Sequence, residues 1–391
     1  MSVSDSGREF DIVVLGATGF AGALIADYLI CHAPQPARLA LAGRNRAKLE
    51  AVGARLGADV ALITVDAADP EAMAAVARRT RVLITTVGPY ILHGAPVVAA
   101  CAEAGTDYLD LTGEPEFVDL TYLKHHARAR ATGARLVHAC GFDSVPHDLG
   151  AQFTVDQLPH DVPLSVRGYV RASGTFSGGT VASAMEAMAR LRPARATHRL
   201  RLQLDPAPPG RAVAVVTGRI GRDRDTGWWV VPMPTIDPQV VAASARAQPR
   251  YGPDFSYSHF WACANPLAAA ALVGGAGAMV AAAQVPGARR ALGALRPPGS
   301  GPSAQQREKS WFKVRFFGQG AGTSVVTEVA GGDPGYTETA KMISEAALCL
   351  AYDDLPATSG QVTTASAMGP ALRSRLEAAG ITFSVLSPPT Q

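Results

Sequence analysis

Between residue 10 and about residue 140, short apolar runs alternate with longer segments that carry Ala and Leu at helical spacing. The runs lie at 11–15, 38–42 (RLALA), 60–65 (VALITV), 82–87 (VLITTV), 107–111 (DYLDL) and 135–139 (RLVHA), and 46–56 and 94–104 are examples of the segments between them. Strand followed by helix, repeated, predicts a parallel sheet, because each parallel pair needs a long crossover and the crossovers cover both faces. Six strands complete a doubly wound α/β sheet of the Rossmann type.

Beyond about residue 150 the rhythm changes. LSVRGYVRASG (164–174) alternates as a strand of an antiparallel sheet does, and GGTVASAMEAMARL (178–191) has helical spacing. SWFKVRFFGQGAGTSVVTEVAGG (310–332) predicts two strands around a glycine-rich hairpin turn. DPAPPGR (205–211) and RPPGSGPS (296–303) are read as surface loops, and Ile343, Ala346, Ala347 and Leu350 mark an amphipathic helix over 337–352. The expected organisation is a Rossmann domain over 1–150, a mixed α+β domain over 151–335, and C-terminal helices over 336–391 that pack back on the first domain.

The 391 residues suffice for two cores. A net charge of +3, carried by 31 arginines and five lysines in no basic stripe interleaved with aromatics, argues against a nucleic-acid partner. The cysteines at 31, 101, 140, 263 and 349 are odd in number and far apart, with no C-x-x-C or Cys/His ligand spacing. Neither a disulfide framework nor a metal site is expected. MSVSDSGREF lacks the apolar core of a signal peptide, so the expected location is cytoplasmic.

The first strand runs straight into GATGFAG (16–22). Gly16 allows the tight turn, Gly19 lets a pyrophosphate approach the backbone, and Gly22 lets helix and strand pack closely. The helix opening there offers free N–H groups and the positive end of its dipole to phosphate. Ala17, Thr18 and Phe20 join the three glycines as expected cofactor contacts. At the end of the second strand, where NAD enzymes place an acid, stands Arg44, followed by Arg46 and Lys48. A guanidinium binds a 2′-phosphate that a carboxylate would repel, so the expected cofactor is NADP(H). Asp66 ends the third strand toward the adenine, and Thr86, Gly88 and Pro89 after the fourth line the cofactor trough. A short-chain dehydrogenase is disfavoured. None of the nine tyrosines is followed four residues later by Lys, and Tyr336 with Lys341 misses by one position.

Several longer stretches point the same way: GATGFAG, LAGR (41–44), TTVGPY (85–90), GTDYLDLTGE (105–114), ACGFDSVPHDLG (139–150), SGGT (177–180) and GDPGYTETAKM (332–342). Together they resemble the saccharopine dehydrogenase-like oxidoreductases, and among these the bacterial trans-acting enoyl reductases of lipid and polyketide assembly. The likeness runs from about residue 9 to AGITF (379–383). It implies NADP(H), a Rossmann domain followed by a mixed-sheet domain, and reduction of an acyl or polyketide enoyl thioester carried by a partner synthase.

Chemistry is expected at the mouth of the sheet, where CGFDSVPHDLG (140–150) follows the sixth strand. Gly141 permits close approach to a nicotinamide, and Asp143, Ser144 and His147 supply polar groups there. Enoyl reduction needs a hydrogen-bond donor for the enolate oxygen, assigned to Ser144 or backbone N–H groups. It also needs a proton source at the α-carbon, assigned to His147 or Tyr90. A turn plus helix cap, with Asp143 or Ser144 capping, is the competing reading of the same residues. SGGT opens a second helix with small residues, suited to an anion, to passing substrate or to a plain N-cap.

From Phe260 to Gly287 there is no charged residue. Ala and Gly dominate this stretch and Asn265–Pro266 interrupts it. A spanning helix is therefore disfavoured against a buried helix or a surface helix touching lipid, and an apolar wall also suits a long acyl substrate. Peripheral contact with the inner face of the plasma membrane is the expectation for a surface helix at 260–287. Two other functions fit the domain plan. One is a saccharopine-type amino-acid dehydrogenase, for which Arg167, Arg171 and Arg190 are the cations available to substrate carboxylates. The other is a non-catalytic NADP-binding scaffold at a membrane.

Overall fold

The structure, a computed structural model, describes residues 7–57, 59–174, 178–285, 287 and 301–390. Ser177 of SGGT and residues 296–300 of the second expected loop lie outside the described residues. The early apolar runs become β1 (Phe10–Leu15), β2 (Leu39–Gly43), β3 (Ala61–Thr64), β4 (Thr80–Thr85), β5 (Asp107–Asp110) and β6 (Arg135–Val137). They lie in the order β3-β2-β1-β4-β5-β6, and every pair is parallel. Successive β1 residues serve opposite faces: Ile12 and Val14 join one buried cluster, Val13 and Leu15 another. A strand covered on both sides has to be apolar throughout. β6 ends before the expected residue 139 because Ala139 turns into the left-handed region at φ 58°, where its N–H donates to Asp110 Oδ1 at 2.9 Å.

The second sheet holds β7 (Leu164–Ser173), β8 (Ala212–Val215), β9 (Gly221–Arg222), β10 (Trp229–Pro232), β11 (Asp254–Cys263), β12 (Trp311–Gly320) and β13 (Thr323–Gly331). β12 and β13 form the expected hairpin around Ala321 and Gly322, both at positive φ. β7 runs antiparallel to β12 and also parallel to β11, so the sheet is mixed. The C-terminal segment serves both sheets. Its helix Thr337–Tyr352 packs on the helix Phe20–His32 and on β4. Then β14 (Gly360–Val362) extends the first sheet beside β6, and β15 (Thr382–Thr390) extends the second beside β13.

The helix Val145–Asp156 carries the chain from one sheet to the other and is buried over most of its length. Its Val145, Leu149 and Val155 share a single cluster with Ile12 and Val14 of the first sheet and Val166, Phe312 and Phe316 of the second. Gly150 makes this possible, since a Cβ there would lie 2.3 Å from the Phe316 ring. The uncharged stretch divides. Its first residues finish β11, while Pro266–Ala283 form a helix in which two residues, Ala269 and Ala283, are buried. That helix lies on the surface. Among the described residues it is the one helix long and apolar enough to cross a membrane, by length and composition.

Asp148 ties the crossing helix to its surroundings. Its buried carboxylate accepts from the Ser244 hydroxyl, and from the Thr364 hydroxyl and the Ala365 N–H at 2.8 Å each. Burial raises its pKa to about 6 despite these donors. Asp148→Ala would leave three donors without their acceptor, so the unfolding free energy at pH 7 should fall by about 2–4 kcal/mol in urea denaturation. Asp148→Asn keeps an acceptor and should lose clearly less; equal losses would refute the hydrogen-bonding role.

Candidate functional site

The glycine turn behaves as its spacing requires. Gly16 sits at φ 88°, and a Cβ on it would lie 2.5 Å from Thr86 Oγ1. A Cβ on Gly22 would lie 2.2 Å from Gly16 O, so helix and turn touch at that point. Ala17 is fully buried, and Thr86 Oγ1 donates to Gly16 O at 3.2 Å, joining the ends of β1 and β4. The helix Phe20–His32 begins at Gly19 with no side-chain cap and no acid in its first turn. Its leading N–H groups are thus available to a pyrophosphate. Phe20 meets Tyr336 edge-on at 5.0 Å, and the Arg307 guanidinium lies 5.6 Å above its ring.

Arg44 follows β2 directly, exposed and with no ion pair or side-chain hydrogen bond among the described residues. A Cβ on its neighbour Gly43 would lie 4.0 Å from Thr18 Oγ1, which puts the glycine turn beside it. Arg46 is engaged elsewhere, with Glu50 at 2.8 Å. Asp66, exposed just past β3, accepts from the Ala68 N–H at 3.0 Å. Gly88 is exposed and Pro89 half-buried after β4. A Cβ on Gly88 would lie 3.2 Å from Ser183 Oγ, so the helix Gly178–Ala189 lies over this edge of the sheet. An uncapped helix, a close glycine turn and a free guanidinium at the carboxyl edge fit NADP(H).

The motif residues just beyond build the edge rather than face it. Glu114 accepts from the N–H groups of Tyr90 and Ile91 at 2.8 Å each, and burial raises its pKa. Asp110 accepts from Tyr108 Oη at 2.9 Å, engages His138 Nδ1 at 2.6 Å, and holds the Ala139 N–H. Tyr90, an expected proton source, is buried behind this edge. Its buried hydroxyl donates to Thr85 O and accepts from the Leu111 N–H, both at 3.2 Å, and burial pushes its pKa well up.

Asp143, Ser144 and His147 come together with residues from distant parts of the chain. Ser144 Oγ donates to Asp237 Oδ1 at 2.9 Å, and Thr235 Oγ1 donates to the other oxygen. His147 Nδ1 lies 3.3 Å from Asp237 Oδ1 and His259 Nε2 lies 3.7 Å from Oδ2, in neither case as a hydrogen bond. The two imidazoles meet at 4.8 Å, and Phe142 closes on His147 at 5.3 Å. Ser144, His147, Asp237 and His259 are all buried. Asp143 is the exposed member, and a Cβ on Gly113 would lie 3.3 Å from its Oδ2.

Burial sets the charges. It lowers the pKa of His147, and with the neighbouring imidazole it brings His259 to about 3, so both rings are neutral at pH 7. Burial opposes ionisation of Asp237, but the imidazoles, where they carry charge at acid pH, and the Ser144 and Thr235 hydroxyls act against it and leave its pKa below the ordinary value. Asp143 goes the other way. Desolvation, then the Asp237 charge, raises it to about 7. His147, Asp237 and His259 present ring nitrogens and a carboxylate oxygen within 4.8 Å of one another, a grouping that no sequence spacing indicated.

Asp237, Thr235, Tyr257 and His259 were not singled out from sequence. Alternation in β11 places Tyr257 and His259 on one face, where Tyr257 Oη and His259 Nδ1 lie 3.0 Å apart. Asp237 opens a helix before Pro238 and looks like an ordinary helix start. Of the three arginines available to substrate carboxylates, two are paired with acids, while Arg171 is exposed with no ion pair or hydrogen bond among the described residues. Arg167 pairs with Asp225, Arg190 pairs with Glu116 at 2.7 Å, and Arg171 lies over Trp228 at 5.4 Å.

Residues 12–137 match the family model of the saccharopine dehydrogenase NADP-binding domain. The trans-acting enoyl reductase of Mycobacterium ulcerans is 35% identical over 98% of this chain and 99% of its own. A trans-acting enoyl reductase of Mycobacterium tuberculosis is also 35% identical, over 97% and 98%. The apo structure of saccharopine dehydrogenase (L-Glu forming) from Saccharomyces cerevisiae shares the fold at a TM-score of 0.53 and 12% identity, covering 96% of this chain and 99% of that one. This chain therefore belongs to the saccharopine dehydrogenase-like oxidoreductases that bind NADP(H), and within them to the family of the trans-acting enoyl reductases.

Proposed function

We propose that this protein reduces the carbon–carbon double bond of an acyl or polyketide enoyl thioester presented by a partner synthase. Asp143 carries this reading: a carboxyl exposed at the carboxyl edge of an NADP-binding sheet, next to Ser144, which is bound to the buried Asp237. Saturating the bond takes a hydride at the β-carbon and a proton at the α-carbon, and NADPH bound at the glycine turn supplies the hydride. The chain's own residues supply the proton and the electrostatics around it.

In this scheme neutral Asp143 is the general acid, giving its proton to the α-carbon and regaining one from water. Desolvation, and after it the negative charge of Asp237, favours protonated Asp143, while Ser144 and Thr235 donate to Asp237 and favour its ionised form. Ser144, first considered as the oxyanion donor, spends its hydroxyl on Asp237 and becomes a positioning residue. His147 stands behind as a neutral imidazole whose protonation burial disfavours. Arg44 and Thr18 flank the expected 2′-phosphate position, and Asp66 the adenine side. An amino-acid dehydrogenase is less well supported, because Arg167 and Arg190 are paired with acids and, of the three arginines, Arg171 is the one left to meet substrate carboxylates.

The acid form of Asp143 is the active one in this scheme. Turnover of NADPH with a 2-enoyl thioester should therefore be highest below about pH 7 and fall as the pH rises through that value. Asp237→Asn should move the step to lower pH, and Asp143→Asn should remove it, with turnover reduced roughly 10²-fold or more at unchanged NADPH affinity. A native profile in Asp143→Asn would overturn the assignment. Absence of NADPH oxidation with every enoyl thioester, free or on its carrier, would favour the scaffold.

Arg44→Asp should weaken NADPH binding tenfold or more and leave NADH binding nearly unchanged, since a charge-assisted contact contributes about 1.5–3 kcal/mol. Fluorescence titration with both dinucleotides measures this. Equal affinities of the native protein for the two would remove Arg44 from the site.

A further inference from the structure

We propose that the helix Pro266–Ala283, together with the basic face of the helix Leu191–Leu204, is a docking surface for an anionic lipid bilayer. The apolar helix has no charged residue and almost no protein cover. Leu267 is 80% exposed, and Leu272, Val273 and Met279 are exposed as well. Soluble domains rarely leave an apolar surface of this length facing water, and such surfaces mark protein, ligand or membrane interaction sites.

Its two ends decide how it can meet a membrane. The N-terminal end follows β11 through Asn265, whose side chain accepts from the Ala268 N–H at 2.8 Å. At the other end, Gln284 Nε2 donates to Met188 O at 3.0 Å. Both ends are held by the same domain, so the helix lies along the surface and would enter a bilayer flat rather than across it.

Charge selects the partner. Met188 lies three residues before the helix Leu191–Leu204, so the apolar helix ends beside the start of the basic one. Arg192, Arg195 and Arg199 are spaced three and four apart, which puts them on one face. All three are exposed and have no carboxylate partner among the described residues. The opposite face holds Arg201, buried against Asp119 at 3.1 Å. No acid occurs between Glu186 and Asp205. An apolar helix beside a row of free guanidiniums matches the interface of a bilayer with phosphate-bearing headgroups. A second copy of the chain fits less well. A two-fold pairing of the apolar helices, which carry no charged residue, would leave the arginines beside them without an anionic partner.

Vesicle flotation of the full chain tests this independently of the proposed reaction. The protein should float with vesicles of phosphatidylcholine containing a quarter phosphatidylglycerol, less so at high salt, and poorly with phosphatidylcholine alone. Each arginine near an anionic leaflet contributes roughly fivefold to partitioning. Reversing all three (Arg192→Glu, Arg195→Glu, Arg199→Glu) should therefore lower it by roughly a hundredfold or more. Val273→Glu with Met279→Glu should abolish flotation, and both variants should keep native NADPH affinity, which reports an intact fold. Failure to float with any vesicle overturns the proposal. So does light scattering that finds a stable dimer which Val273→Glu dissociates, or equal binding to both vesicle types by the native protein.

Discussion

The turn from Ala139 to Asp148 is locked from three directions, and the rest of the molecule is arranged around that lock. From the first sheet, Asp110 takes the Ala139 N–H on its side chain and the Cys140 N–H on its backbone carbonyl. From the C-terminal segment, Thr339 Oγ1 accepts from the Phe142 N–H at 3.0 Å, and a Cβ on Gly141 would lie 2.9 Å from its methyl group. From the second layer, Asp237 takes the Ser144 hydroxyl. Each contact joins residues far apart in the chain, so the turn exists in this form only when both sheets and the C-terminal helix are in place. Ala139, a non-glycine residue at positive φ, is affordable because its surroundings over-determine it.

The same lock explains the electrostatics. Asp237, Ser144, His147 and His259 lie between two sheets where water cannot screen them. A carboxylate can stay ionised there only if donors face it, and Ser144 and Thr235 do. Desolvation, and after it the Asp237 charge, raises the pKa of Asp143. The glycine turn is a separate device, built from steric closeness instead of charge, and both devices open on the carboxyl edge of the first sheet.

The helix Gly178–Ala189 links that edge to the outer surface. On one side Ser183 lies close to Gly88; on another the helix packs against the apolar Pro266–Ala283 helix. A single helical layer therefore separates the residues expected to contact cofactor from the exposed apolar helix. The free arginines begin where that layer ends, at the helix Leu191–Leu204. Polar chemistry and apolar surface share one support without mixing.

The sequence by itself determined what depends on neighbours along the chain. The β1 run, the glycines at 16, 19 and 22, and Arg44 directly after β2 belong to local geometry: strand, turn, helix start and strand end. Their roles follow from spacing, and the parallel sheet follows from the repeat of strand and helix. Only the tertiary structure decided the partners across the chain. Asp237 reads as a helix start until Ser144 and His147 meet it 93 and 90 residues away in sequence. Tyr90 reads as a free hydroxyl until Thr85 and Leu111 claim it. The uncharged helix reads equally as core or surface, because composition specifies its transfer free energy but not which side is covered. The C-terminal strands escaped notice for a related reason: β14 is three residues long and gains its stability from pairing with β6, not from its own pattern. Local steric rules are written in adjacent residues; burial and charge coupling come into being only when distant residues share the same space.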